Sequence, residues 1–151
     1  MTMKVTFDEL KTMSGKDLGF GDWFGVDQER INAFADATGD HQWIHVDTEK
    51  AKSGPFGGTI AHGYLTLSLL IPLWTDLLDV DGVATKVNYG LNKVRFPAPV
   101  PAGSRLRLGG RLGDVAEIEG NGVQFTADLV VEIENGAKPA CVAQPVFRFY
   151  A

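Results

Sequence analysis

From about residue 80 onward the hydrophobic positions alternate, whereas before it they recur at helical spacing or run together. The clearest alternation sets Val123, Phe125, Ala127, Leu129, Val131 and Ile133 against Gln124, Thr126, Asp128, Glu132 and Glu134, broken only by Val130. It predicts a strand with one buried face. Arg105, Arg107 and Arg111 alternate with Leu106, Leu108 and Leu112, predicting a second strand whose arginine stripe is a solvated face. Val87, Tyr89 and Leu91 lie on odd positions before Val94 and Phe96 switch to even ones, so a third strand carries a bulge near Gly90 to Lys93. A last strand, Lys138 to Tyr150, contains Pro145, which cannot donate to a ladder and implies a bulge or an edge position.

Helix signals dominate the first half. Thr6 followed by Glu9 is a capping-box pattern and Gly15 a natural stop, predicting a short peripheral helix near residues 7–13. Asp22 to Val26 reads as a short strand. Asp27 then caps a helix with Ile31, Phe34, Ala35 and Thr38 on one face, ended by Gly39. Residues 40–62 form a long irregular stretch with a small helix at Thr48 to Lys52 capped by Asp47. Loops of that length in compact domains are often functional. From Ala61 to Leu78 the pattern is apolar nearly all round, as in a helix surrounded by protein, and Pro72 should bend it. One long buried helix followed by about four antiparallel strands requires the sheet to curl around that helix. The expected architecture is a single α+β domain over residues 1–151 of the hot-dog kind. Its open sheet edge is best closed by a second copy, so a homodimer is expected.

Composition narrows the function classes. Hydrophobic residues make up 44% and charged residues 22%, an ordinary globular balance. Fourteen Lys+Arg against 19 Asp+Glu leave a formal charge of -5, with no overall field to attract nucleic acid. The single cysteine, Cys141, forms no internal disulfide, and Met1 to Met13 lacks a secretory layout, so a reducing cytoplasm is the expected location. The most apolar stretch, Tyr64 to Leu78, is too short for a membrane span and is interrupted by Pro72 and Asp76.

The segment FADATGDHQWIHVDTEKA, from Phe34 to Ala51, carries the chemistry. It resembles the hydratase motif of the MaoC-like and R-specific enoyl-CoA hydratases through Phe34, Thr38, Gly39, Asp40, Ile44, His45 and Ala51. Two positions depart: Gln42 stands where the family usually has Asn, and Trp43 where it usually has Pro. Trp43 is expected to line or buttress the acyl pocket. GPFGGTIAHGYLTLSLL, from Gly54 to Leu70, resembles the start of the family's central helix, and NYGLNKVRFPAPVPAG, from Asn88 to Gly103, the strand and turn that follow. The resemblance implies that Asp40 and His45 hold one water between them and that the Gly63 backbone amide binds the thioester oxygen. It also implies R stereochemistry and no metal or redox cofactor, with an acyl-CoA thioester as substrate.

The reaction itself asks for these residue types. Adding water to a conjugated thioester needs a base for the water proton, an acid for the α carbon, and donors for the developing enolate oxygen. An imidazole changes protonation state near neutral pH, and a neighbouring carboxylate orients water and supports the imidazolium. A glycine amide at a helix start adds a backbone N–H aided by the helix dipole. His41, His45, His62, Asp40 and Asp47 raise a metal alternative, because His41 and His45 have i, i+4 spacing. The intervening Glu of HExxH is missing and Gly39 stops the helix, which weighs against it. His62 reads as a structural residue at the start of the central helix. Lys93 and Arg95 are both candidates for the CoA phosphates. Two rival functions remain. An acyl-CoA thioesterase would need an acidic or amide group on or beside the central helix, where only Asp76 is offered, late in it. A non-catalytic acyl-binding or assembly subunit would have lost the Asp40 and His45 pair.

Overall fold

The capping box is formed in the computed structural model, which describes residues 2–151. The Thr6 hydroxyl accepts from the Glu9 N–H at 3.1 Å, and the Glu9 carboxylate accepts from the Thr6 N–H at 3.0 Å. It follows strand β1 (Met3–Thr6) and starts helix α1 (Phe7–Leu10), which stops short of Met13. Strands β2 (Asp17–Phe20) and β3 (Phe24–Val26) lead into helix α2 (Gln28–Thr38). There the Asp27 carboxylate accepts from the Arg30 N–H at 2.9 Å, and Gly39, at φ 80°, supplies the left-handed stop.

The irregular stretch is more ordered than its sequence indicated. It holds a one-turn helix α3 (Trp43–Val46) that periodicity is too short to reveal, then α4 (Thr48–Lys52), capped by Asp47 as read. The central helix α5 (Gly63–Leu77) continues through Pro72. Strand β4 (Leu78–Asp81) pairs in parallel with β1, joining Met3 to Leu78 and Val5 to Val80. The long strands β5 (Thr85–Arg95), β6 (Ser104–Ile118), β7 (Gly122–Ile133) and β8 (Cys141–Tyr150) follow. The main sheet runs β2-β6-β7-β8-β5, all antiparallel, with β3 also against β6.

The parity switch in the β5 sequence corresponds to two register shifts against β8, between Asn88 and Gly90 and between Leu91 and Lys93. Pro145 lies opposite Leu91 in the interior strand β8, so the edge alternative is excluded. The β7 ladder skips from Thr126–Val146 to Leu129–Ala143, which places Pro145 where no donor is required. The sheet curls around α5, the hot-dog arrangement. Leu65, Leu69, Leu73 and Trp74 pack into a core with Leu106, Leu108, Leu129 and Val131. Trp74, Phe125, Phe147 and Phe149 form an aromatic cluster with ring centroids 5.0 to 6.2 Å apart in the contacting pairs.

Two departures matter for the site. The arginine stripe is not simply solvated: Arg107 pairs with Glu132 at 2.8 Å and lies over the Phe20 and Trp23 rings, while Arg105 pairs with Glu134 at 3.0 Å. Further, α5 is not enclosed on every side by its own chain. Tyr64 and Ile71 are exposed and Leu67 half-buried on one flank, and along β5 only Val94 escapes full exposure. Among the described residues no helix is long and apolar enough to cross a membrane.

Candidate active site

Helix α2 ends at the site. From its last turn the Thr38 hydroxyl donates to the Phe34 carbonyl at 2.8 Å and accepts from the Asp40 N–H at 3.4 Å. The left-handed Gly39 then turns the chain so that Asp40 stands exposed at the start of the irregular stretch, its Oδ1 accepting from the Gln42 N–H at 3.4 Å. One helical turn later, in α3, His45 is buried at 7% exposure.

The imidazole of His45 has a defined tautomer. Its Nδ1 lies 2.7 Å from the Ile60 carbonyl oxygen, and a carbonyl only accepts, so Nδ1 carries the proton. In the neutral ring Nε2 is then the nitrogen with the free lone pair. The Ile60 segment is fixed in turn: its N–H donates to the Ile44 carbonyl at 3.0 Å, and Ile60 bridges to Pro101.

His62, read as structural, belongs to the same cluster. Its ring stacks on that of His45 with centroids 3.9 Å apart and 24° between planes, and it tilts against Phe34 at 4.9 Å. Its Nε2–H donates to the Asp40 carbonyl at 2.9 Å, so one side chain touches both members of the proposed pair. Its Nδ1 is buried without a protein partner among the described residues. A sequence signal was available, because any role for the Gly63 amide brings the preceding side chain to the site.

Gly63 is the first residue of α5, and the His62 side chain makes no cap bond to the first turn. A side chain at Gly63 would meet the Phe96 ring at 3.2 Å, which explains glycine at this wall. Phe34, Thr38, Asp40, His45, His62, Gly63, Tyr64 and Phe96 together line a cleft of about 570 Å³. Gln42 and Trp43 are not among the lining residues. Trp43 instead packs its ring on Gly54, where an added Cβ would come within 2.9 Å, and lies under the Lys50 ammonium at 4.6 Å.

The titratable cluster sorts differently from the metal alternative. Asp40, His45 and His62 bring potential ligand atoms within 4.8 Å of one another, while His41 pairs with Asp36 at 2.9 Å and Asp47 caps α4. Each cluster imidazole already donates one N–H to a carbonyl. The two rings lie in nearly parallel planes, 24° apart with centroids separated by 3.9 Å.

Beyond the cleft, an apolar groove of about 220 Å³ runs between α5 and β5, lined by Leu67, Ile71, Gly90, Leu91 and Phe147 among others. Tyr64, at the cleft, and Leu67 and Ile71, in the groove, share one helix flank. Of the two basic candidates, Lys93 faces a hollow on the opposite face of the sheet with Arg111, Asp128 and Gln144. Arg95 adjoins the cleft residue Phe96.

Comparison with known proteins bears on this geometry. The family profile described as MaoC like domain matches residues 9–134. The chain is 53% identical over 143 residues to the 3-hydroxyacyl-thioester dehydratase Z of Mycobacterium tuberculosis, covering 95% of each. It is 43% identical to the nodulation protein N of Rhizobium leguminosarum bv. viciae, covering 93% of this chain and 88% of that one. A solved structure described as a monoamine oxidase regulatory protein from Archaeoglobus fulgius superposes with a TM-score of 0.77 at 24% identity, covering 100% and 99% of the two chains. That last likeness shows the fold alone.

Proposed function

The chain belongs to the MaoC-like domain family, and from that premise we propose that it is a hydro-lyase interconverting a trans-2-enoyl thioester and the R-3-hydroxyacyl thioester. The observation that carries the reading is the His45 tautomer. With Nδ1–H held by the Ile60 carbonyl at 2.7 Å, Nε2 is a free base in the cleft that also holds the Asp40 carboxylate and Gly63.

In the hydration direction the water oxygen attacks C3 while its proton passes to His45 Nε2. The resulting imidazolium returns a proton to C2, so H and OH add and the enzyme ends as it began. Delivery from one edge of one ring puts both new bonds on the same face, a syn addition. Asp40 accepts the second water proton as a hydrogen bond and stabilises the imidazolium. The Gly63 N–H receives the thioester oxygen as enolate character develops, and one such donor typically contributes about 3–4 kcal/mol. There is no net change of oxidation state, so the reading calls for no redox cofactor, and the proton transfers are assigned to His45 and Asp40 alone. Similarity to a 3-hydroxyacyl-thioester dehydratase supports the thioester substrate.

The groove along α5 and β5 is the proposed acyl site, and Arg95 the proposed partner for the CoA phosphates. We assign the uncovered flank of α5 and the open edge of β5 to a second copy, because the large apolar side chains Tyr64 and Ile71 on the helix and Tyr89 and Leu91 on the edge strand are all exposed. The single buried thiol, Cys141, suits the reducing cytoplasm.

The function is tested by loss of the conjugated enoyl-thioester absorbance, with free-thiol release followed alongside. Thiol release without hydration would move the function to the thioesterase reading. That reading lacks its helix carboxylate here: Asp76 is thirteen residues along α5 from Gly63, about 20 Å at the helical rise. Sedimentation at micromolar concentration should give a dimer or a multiple of dimers, and an active monomer would remove the assigned interface.

A further inference from the structure

We propose that Gln28 is the positioning residue that sets the His45 imidazole, an inference that rests on the hydratase reading of the cleft. Gln28 is the half-buried first residue of α2, and nothing in its local sequence marks it as part of the site. Its side-chain amide nevertheless joins three segments far apart in the chain. Nε2 donates to the His45 backbone carbonyl at 2.7 Å and to Asn32 Oδ1 at 2.9 Å, and Oε1 accepts from the buried Thr59 hydroxyl.

These contacts hold both sides of the imidazole. His45 stands in a one-turn helix with no side-chain cap, and such a helix has little stability of its own. Its final carbonyls lack intrahelical acceptor bonds, and Gln28 supplies the donor for that of His45. The opposite anchor is the Ile60 carbonyl, which takes the Nδ1 proton, and Ile60 directly follows Thr59, the residue whose hydroxyl ends on the same amide. One planar group therefore fixes the distance between the backbone that carries the ring and the backbone that sets its tautomer. If either segment shifts, the Nδ1–H bond lengthens and Nε2 loses its aim at the water.

The orientation of the amide is dictated by its partners. A carbonyl and Asn32 Oδ1 demand a donor on one side, and the Thr59 hydroxyl, as donor, demands an acceptor on the other. A carboxylate at this position would meet the His45 carbonyl with lone pairs on both sides. Gln28 does not line the cleft, so its effect on rate is exerted through His45.

The test is Gln28→Glu, which keeps shape and the acceptor for Thr59 while removing the donors, with Thr59→Val as an independent cut of the other arm. Each should lower kcat about tenfold or more while KM stays within about twofold, because a misplacement of an ångström costs on the order of a hundredfold. The second readout needs no substrate. The His45 Nδ1 proton, buried and bonded to Ile60, should give a slowly exchanging downfield imidazole resonance in the wild type that broadens or vanishes in both variants. Wild-type kcat and an unchanged resonance in a folded Gln28→Glu would overturn the proposal. Loss of folding in both variants would also overturn it, marking the amide as structural. An absence of hydration by the wild type would instead defeat the functional reading, leaving the resonance to report on Gln28 separately.

Discussion

Replacing His45 by asparagine separates its proposed chemistry from its packing. The ring is 7% exposed, donates from Nδ1 to the Ile60 carbonyl at 2.7 Å and stacks on His62 at 3.9 Å. Truncation to alanine would leave that buried carbonyl without a donor, at about 1–3 kcal/mol, and a fall in activity could then reflect damage to the fold. An asparagine amide nitrogen stands the same number of bonds from Cα as Nδ1, so it can keep the bond to Ile60 while Nε2 is lost with the rest of the ring. The remaining stability loss is the ring contact, about 0.5–1.5 kcal/mol. At about 2–4 °C per kcal/mol for a chain of this size, Tm should fall by no more than roughly 6 °C. Loss of general acid–base assistance should instead lower kcat by about 10²–10⁴, or roughly 2.7–5.4 kcal/mol of barrier. Asp40→Asn is the companion variant: its Oδ1 can still accept from Gln42, so Tm should hold while kcat falls at least about 100-fold. The double variant should be scarcely worse than the poorer single one, since residues acting as a unit are non-additive. Enoyl-thioester absorbance measures the rate and thermal unfolding the fold. Hydration within about threefold of wild type by either folded single variant would refute the mechanism.

Gly90 faces open space, does not need a left-handed backbone and borders the α5–β5 groove, so Gly90→Leu should depress turnover of long enoyl chains while sparing short ones. An unchanged chain-length ranking, with assembly intact, would remove the groove as the acyl site. Trp43 packs on Gly54 and Lys50 outside the cleft lining, so Trp43→Ala should cost part of the about 3–5 kcal/mol of stability that a core aromatic contributes and lower Tm accordingly, leaving the ranking of substrates alone. A changed ranking at constant Tm would restore Trp43 to the pocket wall. Burial raises the Cys141 thiol from its ordinary 9.0 to about 11, so the folded chain keeps a proton that the unfolded chain loses between those values. Its contribution to stability is complete below pH 9 and is lost as pH rises through 11; a Cys141→Ala variant with the same alkaline slope of Tm would show another group at work.

Strands β6 and β7 were legible because each turns alternate residues into the core, and that requirement writes period two into the sequence, whereas β5 is exposed at every position but Val94. Helix α2 was legible from its ends, through Asp27 and Gly39. Strands β1 and β4 were not: each has four residues, and the pairing of Met3 with Leu78 leaves no local trace. The site divided along the same line. Asp40 and His45 lie close together in one motif, whereas Phe96, His62 and Gln28 reach them across the fold through a wall contact, a ring stack and an amide. Such contacts follow from tertiary geometry, which spacing along the chain does not encode.

The central helix is the most informative case. Its sequence is apolar nearly all round and so demands protein on every side, yet this chain covers only part of the circumference, leaving Tyr64 and Ile71 exposed. The uncovered flank begins at the cleft, where Tyr64 is a lining residue, and continues into the groove assigned to the acyl chain. A second copy seated on this flank and on β5 would therefore close the same space that holds Asp40 and His45. Closing it expels water and lowers the local dielectric, which strengthens the carboxylate–imidazolium attraction and the Gly63 hydrogen bond together. Assembly and rate are then one property of the α5 surface. Charge placed on the β5 side of this surface, as in Tyr89→Asp outside the cleft and groove linings, should lower kcat in proportion to the fraction of dimer lost, and raising the protein concentration should restore both. A dilute, fully monomeric variant with wild-type kcat would show that each chain encloses its own site.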